Sequence, residues 1–515
     1  MATPAERLAA SLDELRKLQE QGKVAIKSDE LSRTHKDRLI ANGFLKEVLR
    51  GWYIISSPDE RPGDTTSWYS NFWEFCSTFL HERYKDNWCI SPEQSVLIYA
   101  GNWTVPTQLL IRSPEASNHQ TELLHQTSIF NIKSELPEVR ETTTINGIKM
   151  LTLPAALVHS SPTIFTRNTT DIRTALSIIP DSSDILGILL EGGHSTVAGR
   201  LAGAFRNNGQ DRIADDIVKT MKAAGYDVRE ADPFEEKLQI KLSPRERSSY
   251  VNRIKLMWNA MRPAILEVFP GPPGIPADKD EYLRKVNAIY VTDAYHSLSI
   301  EKYKVTPELI ERVRTGAWNH KDNEEDKKQR DAMAARGYWQ AFQKVESSIR
   351  KILNNENAGV VADNEHGDWY RELFTPSVAA GLLKPADLAG YRNHPVYLFG
   401  SKHVPLNKDA VKDAMPTLFE LLAEESEPGV RAVLGHFIFV FIHPYMDGNG
   451  RMGRFLMNTM LASGGYPWTV IPVESRAEYM AALESASVGQ DIRPFASFIG
   501  NLVLQGLQGK PVASI

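Results

Sequence analysis

At 515 residues the chain exceeds what one hydrophobic core serves, and about two to four domains are expected. Its 42% hydrophobic and 24% charged residues are those of an ordinary soluble globular protein, while a net charge of −5 excludes nucleic-acid affinity spread over the whole surface and leaves only a local patch. Two cysteines, Cys76 and Cys89, exclude a disulfide framework and a cysteine-based metal site; with no apolar signal core and no run long enough to span a bilayer, a cytoplasmic protein without a membrane partner is expected.

Residues 1–56 read as a winged helix-turn-helix. Ser11-Leu12-Asp13-Glu14 offers a capping box for a first helix, Ser28-Asp29-Glu30-Leu31 opens a second, and Thr34-His35-Lys36-Asp37 caps a third that ends at Asn42-Gly43. Residues 45–55 follow as two short strands turning near Arg50-Gly51. Lys36, Arg38, Lys46 and Arg50 then lie on the recognition helix and wing, where DNA phosphates are contacted. Small winged modules also dock proteins, so both kinds of partner stay open.

Residues 57–235 read as one α+β unit. An aromatic-rich amphipathic helix at 68–84 precedes a strand near Trp88 that leads through Ser91-Pro92 into a capped helix; 129–132 and 145–153 are expected strands, and 172–226 returns to helical spacing. With the winged start, the wing Arg50-Gly51-Trp52-Tyr53, then Ser91-Pro92-Glu93, then Gly192-Gly193-His194-Ser195 with Arg200-Leu201-Ala202-Gly203 resemble the AbiEi-type antitoxin family of transcriptional regulators. Gly192 and Gly193 lack the strand–glycine–helix surroundings of a nucleotide loop and read as a helix-terminating turn.

A boundary at 233–244 opens a third region, 236–515. A proline-rich connector at 270–276 is followed by helical sequence from Asp278. Near 295–302, Glu301 sits on a helix beside Ile300 and Tyr303, half buried, and a buried carboxylate requires a cation; an exposed Glu behind a cap serine is the alternative. Residues 339–353 are amphipathic, 374–376 open another helix, and the apolar residues on either side of Gly400-Ser401 read as a β-hairpin. His394 and His403 lack a third ligand at metal-binding spacing.

The densest chemistry lies at 440–454, a polar loop between apolar helical runs at 433–442 and 452–461. Gly448-Asn449-Gly450 lets main-chain N–H groups converge on an anion at a helix start. Arg451 and Arg454, three apart, present guanidinium forks to phosphate. Asp447 is placed to hold Mg²⁺ against phosphate oxygens, and His443, fixed by Pro444, is the base near neutral pH. These residues imply a phosphoryl or nucleotidyl transferase without saying which.

His443-Pro444-Tyr445-Met446-Asp447-Gly448-Asn449-Gly450-Arg451-Met452-Gly453-Arg454 resembles the signature of the Fic family, His-Pro-Phe-x-(Asp/Glu)-Gly-Asn-Gly-Arg-x-x-Arg, with Tyr445 in place of Phe. The resemblance implies a mainly α protein, its all-α core carrying a β-hairpin flap and following the winged and α+β segments. It also implies transfer of AMP from ATP to a Ser, Thr or Tyr hydroxyl of a target protein or of the chain itself. His443 would be the base, Asp447 the Mg²⁺ ligand, Gly448, Asn449 and Gly450 the cradle, and Arg451 and Arg454 the β- and γ-phosphate contacts. Ser297 and Glu301 match the family's inhibitory (Ser/Thr)-x-x-x-Glu-(Gly/Asn) motif, with Lys302 departing, so Glu301 would pair with Arg454. Val396, Tyr397, Leu398, Phe399 and Gly400 would form the target-pairing flap, and Tyr479 would lie against adenine or simply pack. Other donors (UMP, phosphocholine), a DNA-binding or antitoxin-like regulator whose core senses nucleotide, and homodimer formation remain as further expectations.

Overall fold

The computed structural model describes residues 3–60, 64–238, 240, 248–316, 330–510 and 513–515. They fall into two compact units, Met1–Arg253 with Tyr397–Val404, and Ile254–Val396 with Pro405–Ile515. The architecture is mainly α, and among the described residues no helix is long and apolar enough to cross a membrane.

Unit 1 begins with a helix, Pro4–Glu20, whose reciprocal capping box is Thr3 with Glu6, about two turns ahead of the expected Ser11 start. Ser11 is instead buried inside that helix, its hydroxyl donating to the Arg7 carbonyl. The helix expected at Ser28-Asp29-Glu30-Leu31 does not form, because the chain there is a turn after strand β1 (Ala25–Lys27) in which Glu30 accepts from the Lys27 N–H. Ser32 rather than Thr34 caps the next helix, Arg33–Ala41. Two helices and a three-stranded antiparallel sheet result, ordered β1, β3 (Trp52–Ile55), β2 (Leu45–Leu49), with Gly51 at φ +83° in the expected turn.

The Thr66–Tyr84 helix buries Trp68, Phe72, Phe75 and Leu80 in the unit's aromatic core. A four-stranded sheet follows in the order β4 (Cys89–Ile90), β5 (Gln108–Ser113), β7 (Ser128–Lys133), β6 (His119–Glu122), with β5 and β7 parallel. The single strand expected at 145–153 is instead a hairpin, β8 (Thr142–Ile145) with β9 (Ile148–Leu151), followed by a helix start at Leu153. Asn146 and Gly147 both take positive φ, the backbone of a two-residue hairpin turn.

The Ser195–Asn207 helix is packed against residues 229–232 so closely that a Cβ at Gly203 would stand 2.2 Å from the Ala231 carbonyl oxygen, and one at Gly199 2.0 Å from that of Arg229. The glycines allow main chain to lie on a helix surface, and the Ala231 N–H donates to the Gly199 carbonyl. Tyr397–Val404 contains no strand, against the expected hairpin. A ribbon of two short strands is barely stable alone, and these residues bond elsewhere within unit 1: the Val105 N–H donates to the Lys402 carbonyl and Lys402 Nζ to Thr107 Oγ1.

Unit 2 is a helical assembly around Pro428–Ile442 and Asn449–Ala462, both almost wholly buried. Tyr290–Ile300, Arg330–Leu353 and Ala358–Ala379 surround them; Phe374 and Pro376 lie inside the last of these, whose final turn accommodates the proline, and do not open a new helix. Arg476–Gly489 and Arg493–Leu507 complete the unit.

Gly203→Ala is expected to destabilise unit 1 by about 1–3 kcal/mol, since a methyl group there collides with backbone that has no room to retreat. Scanning calorimetry should show a lowered transition; an unchanged thermogram would contradict the close packing.

Candidate active site

The loop between the two buried helices is shaped by two residues in the left-handed region. His443 ends its helix at φ +54°, ψ +61°, with its N–H donating to the Phe439 carbonyl, and Gly448 caps the next helix at φ +85°. His443 Nδ1 lies 3.3 Å from the Val440 carbonyl. A carbonyl only accepts, so Nδ1 carries the hydrogen and Nε2 keeps its lone pair. Burial holds the imidazole well below its ordinary value, to about 4, with the Arg392 guanidinium acting in the same direction and the Val440 bond opposing. His443 is therefore neutral at pH 7.

Asn449 closes the loop on itself: its amide accepts from the Tyr445 N–H at 2.9 Å and donates to the Tyr445 carbonyl at 2.8 Å. Its side chain is thus spent, and what it offers to a ligand is a main-chain N–H in the first helical turn, where donors lack intrahelical partners. Tyr445 is 1% exposed and stacks on Tyr370 with ring centroids 3.8 Å apart, so the aromatic position faces the core. Asp447 is exposed, accepts from the Gly448 N–H at 2.6 Å and lies 3.4 Å from Arg451 Nη2.

Arg451 is 1% exposed, its guanidinium between the rings of Tyr303 and Phe374 at 5.1 and 5.0 Å. Among the described residues its Nε and Nη2 have no hydrogen-bond acceptor, Nη2 having only the ion pair with Asp447. Arg454, also buried, donates from Nε to Ser297 Oγ at 2.8 Å, and from Nη2 to the Ser297 carbonyl at 3.0 Å and Glu301 Oε1 at 2.8 Å, leaving Nη1 without an acceptor among the described residues. Burial pulls the Arg454 guanidinium down, but Glu301, together with Tyr479 and Tyr338, outweighs it and the net shift is upward. A Cβ at Gly450 would stand 2.2 Å from Glu301 Oε1. The Glu301 carboxylate therefore sits over the first turn of the Asn449–Ala462 helix, where an anion is favoured.

Glu301 and Lys302 end the Tyr290–Ile300 helix in a Schellman turn: the Lys302 N–H donates to the Ser299 carbonyl and the Tyr303 N–H to that of Leu298. Lys302 takes φ +66°. The position where the resembling motif carries Gly or Asn is the left-handed one, which explains that preference; a lysine there costs about 1 kcal/mol.

Sequence reasoning missed four contributors. Asp293, 3% exposed, accepts from Tyr338 at 2.6 Å, and burial pushes its carboxyl up to about 6. Tyr303 and Phe374 flank Arg451, and Arg392 is bonded beneath His443. The spacing Asp293, Ser297, Glu301 along one helix face was the available signal, since polar residues four apart on an otherwise apolar helix face a polar partner. Tyr479 is 1% exposed, with its hydroxyl 2.8 Å from His436 Nε2 and its ring against Phe495, so it packs inside the core.

Val396, Tyr397, Leu398, Phe399 and Gly400 form an irregular turn with Tyr397 and Phe399 exposed. The four basic residues proposed for DNA lie in unit 1 and are largely engaged there. Lys36 donates to Ser28, Arg38 to the Arg7 carbonyl and Ser11, and Lys46 lies 3.6 Å from Glu60; Arg50 is in the β2–β3 turn.

The Fic/DOC family profile matches residues 368–461, so the chain carries a Fic domain there. Protein adenylyltransferase fic-1 of Caenorhabditis elegans is 34% identical over 123 residues, 23% of this chain and 24% of that one. Protein adenylyltransferase Fic of Drosophila willistoni is 38% identical over 125 residues, 24% of each chain. The chain thus spans about a quarter of the length of the curated relatives it matches. A solved structure, Fic-1 (aa134–508) from C. elegans, has 18% identity and a TM-score of 0.38, covering 64% of this chain and 91% of that one.

The depressed imidazole yields a direct expectation. Protonation of His443 should occur only as pH falls through about 4, so its NMR resonance stays in the neutral position from pH 8 to about 5.5. A midpoint near the ordinary histidine value would contradict a half-buried imidazole held neutral.

Proposed function

We propose that this chain is a protein adenylyltransferase, transferring AMP from ATP to a protein hydroxyl, and that Glu301 holds it inactive. The observation that carries the reading is the placement of Glu301 Oε1, 2.8 Å from Arg454 Nη2 and over Gly450, where a terminal phosphate would need the same guanidinium and the same helix start. Among the described residues Arg454 Nη1 and Arg451 Nε have no hydrogen-bond acceptor, and Arg451 Nη2 has only the 3.4 Å ion pair with Asp447; these donors fit a polyanion with more oxygens than one carboxylate supplies.

In the reaction, His443 Nε2 takes the proton of the target hydroxyl while its oxygen bonds to the α-phosphorus. The bond from that phosphorus to the β-phosphate oxygen breaks, and pyrophosphate leaves with its charge held by Arg451 and Arg454. Fixed donors aimed at the phosphates supply stabilisation without reorganising, which suits a reaction governed by positioning. Asp447, exposed beside the first-turn N–H groups, fits the role of Mg²⁺ ligand, and the ion when bound neutralises phosphate charge. Among the described residues there is no cluster of three or more His, Cys, Asp or Glu side chains able to hold a metal ion; a single carboxylate accords with an ion shared with phosphates.

The targets are proteins or this chain itself, and the exposed Tyr397 and Phe399 belong to the segment proposed to dock them.

Incubation with α-labelled ATP and Mg²⁺ tests the proposal. Glu301→Gly should incorporate label into itself or lysate proteins at least about tenfold faster than wild type, the scale of losing one charge-assisted competitor. His443→Ala in the same background should return to baseline. Equal labelling with and without His443 would remove it from the chemistry, and labelling from UTP or CDP-choline in place of ATP would reassign the donor.

A further inference from the structure

Arg392 is 3% exposed, and among the described residues its guanidinium bonds only to main-chain carbonyls. Nε donates to the His443 carbonyl at 2.7 Å, Nη1 to that of His394 at 3.1 Å, and Nη2 to those of Leu406 and, at 3.4 Å, Ile442. Its own N–H donates to the Pro444 carbonyl at 2.8 Å. Burial pulls this guanidinium down to about 10. A buried cation held by carbonyl dipoles needs a favourable field. The C-terminal end of Pro428–Ile442 supplies one, where the last carbonyls lack intrahelical donors and carry partial negative charge.

The bonds matter for His443 because its side chain is weakly tethered. Among the described residues the imidazole has one bond, the 3.3 Å contact to the Val440 carbonyl, so its direction is set by the backbone beneath it. That backbone is left-handed at a residue with a Cβ, a conformation that relaxes unless held. Arg392 grips it at three consecutive carbonyls, Ile442, His443 and Pro444, and ties them to His394 and Leu406, which stand on either side of the 397–404 segment in the sequence. A planar fork with five N–H groups reaches several acceptors at once; a lysine ammonium does not reproduce that array.

We propose that Arg392 is a positioning residue for the base: it fixes the His443 main chain so that Nε2 meets the incoming hydroxyl, without touching nucleotide. This rests on the adenylyltransferase reading for its kinetic consequence and on geometry alone for its structural one.

The test uses the full chain with Glu301→Gly as parent. Arg392→Ala should lower kcat on the order of 10²-fold, the cost of misplacing a reacting group by about an ångström, while ATP affinity stays within about threefold. Millimolar guanidinium chloride should restore kcat in Arg392→Ala by refilling the carbonyl cluster and should do nothing for His443→Ala. Arg392→Lys keeps charge and bulk, and should lose kcat with ATP affinity retained even if the alanine variant folds poorly. Unchanged kcat in Arg392→Lys, or loss of ATP affinity in parallel with kcat and without guanidinium rescue, would overturn the proposal. Should the parent itself transfer no AMP, the adenylyltransferase reading fails separately. The His443 imidazole NMR signal then decides, a shift in Arg392→Ala reversed by guanidinium supporting the positioning role and an unshifted signal ending it.

Discussion

A guanidinium buried among helices must be given acceptors, and Arg454 is the residue around which unit 2 resolves that requirement. It is 3% exposed and receives the Ser297 hydroxyl, the Ser297 carbonyl and the Glu301 carboxylate from one helix end. Removing a single partner from such a site leaves charge uncompensated, at a cost of about 3–5 kcal/mol. The Glu301 carboxylate therefore does not leave unless another anion takes its place, and in the proposed function that anion is a triphosphate at the same guanidinium and helix start.

The surrounding residues follow from that pairing. Gly450 is side-chain-free because the carboxylate occupies the space where a Cβ would stand. The Tyr290–Ile300 helix must stop at Glu301, and it does so through a left-handed Lys302, a strained way to end. Tyr303, one residue on, then covers the guanidinium of Arg451. One short turn thus contacts both arginines of the loop, by a carboxylate on one and an aromatic face on the other.

Much of the site could be read in the sequence because it is local. The loop, its flanking helices, the base and the two arginines lie within one window, and each residue type there has a chemical reason to be present. Ser297 and Glu301 were singled out through the resemblance to the family's inhibitory motif, and in the structure both are bonded to Arg454. Arg392 was not, because a buried arginine serving main-chain carbonyls has no partner side chain to announce it. Asp293 was hidden likewise, its partner Tyr338 lying 45 residues away. The N-terminal helices were misplaced because Ser and Thr near acidic residues offer several caps, and tertiary packing chose Thr3 and Ser32 over Ser11 and Thr34. The hairpin at 142–151 was missed although Asn146-Gly147 is a strong turn signal, since its first strand, Thr142–Ile145, is three threonines and one isoleucine with no apolar run to mark it. The apolar residues on either side of Gly400-Ser401 suggested a hairpin, but residues 396–404 form no strand.

The central claim is that Glu301 and a γ-phosphate compete for Arg454. The most direct measurement is the affinity of ATP against ADP, by calorimetry, for wild type and Glu301→Gly. If the claim holds, the substitution tightens ATP by at least about tenfold, equivalent to roughly 1.4 kcal/mol, and changes ADP much less. An equal gain for both nucleotides, or none for ATP, would mean that the carboxylate does not stand where the terminal phosphate binds.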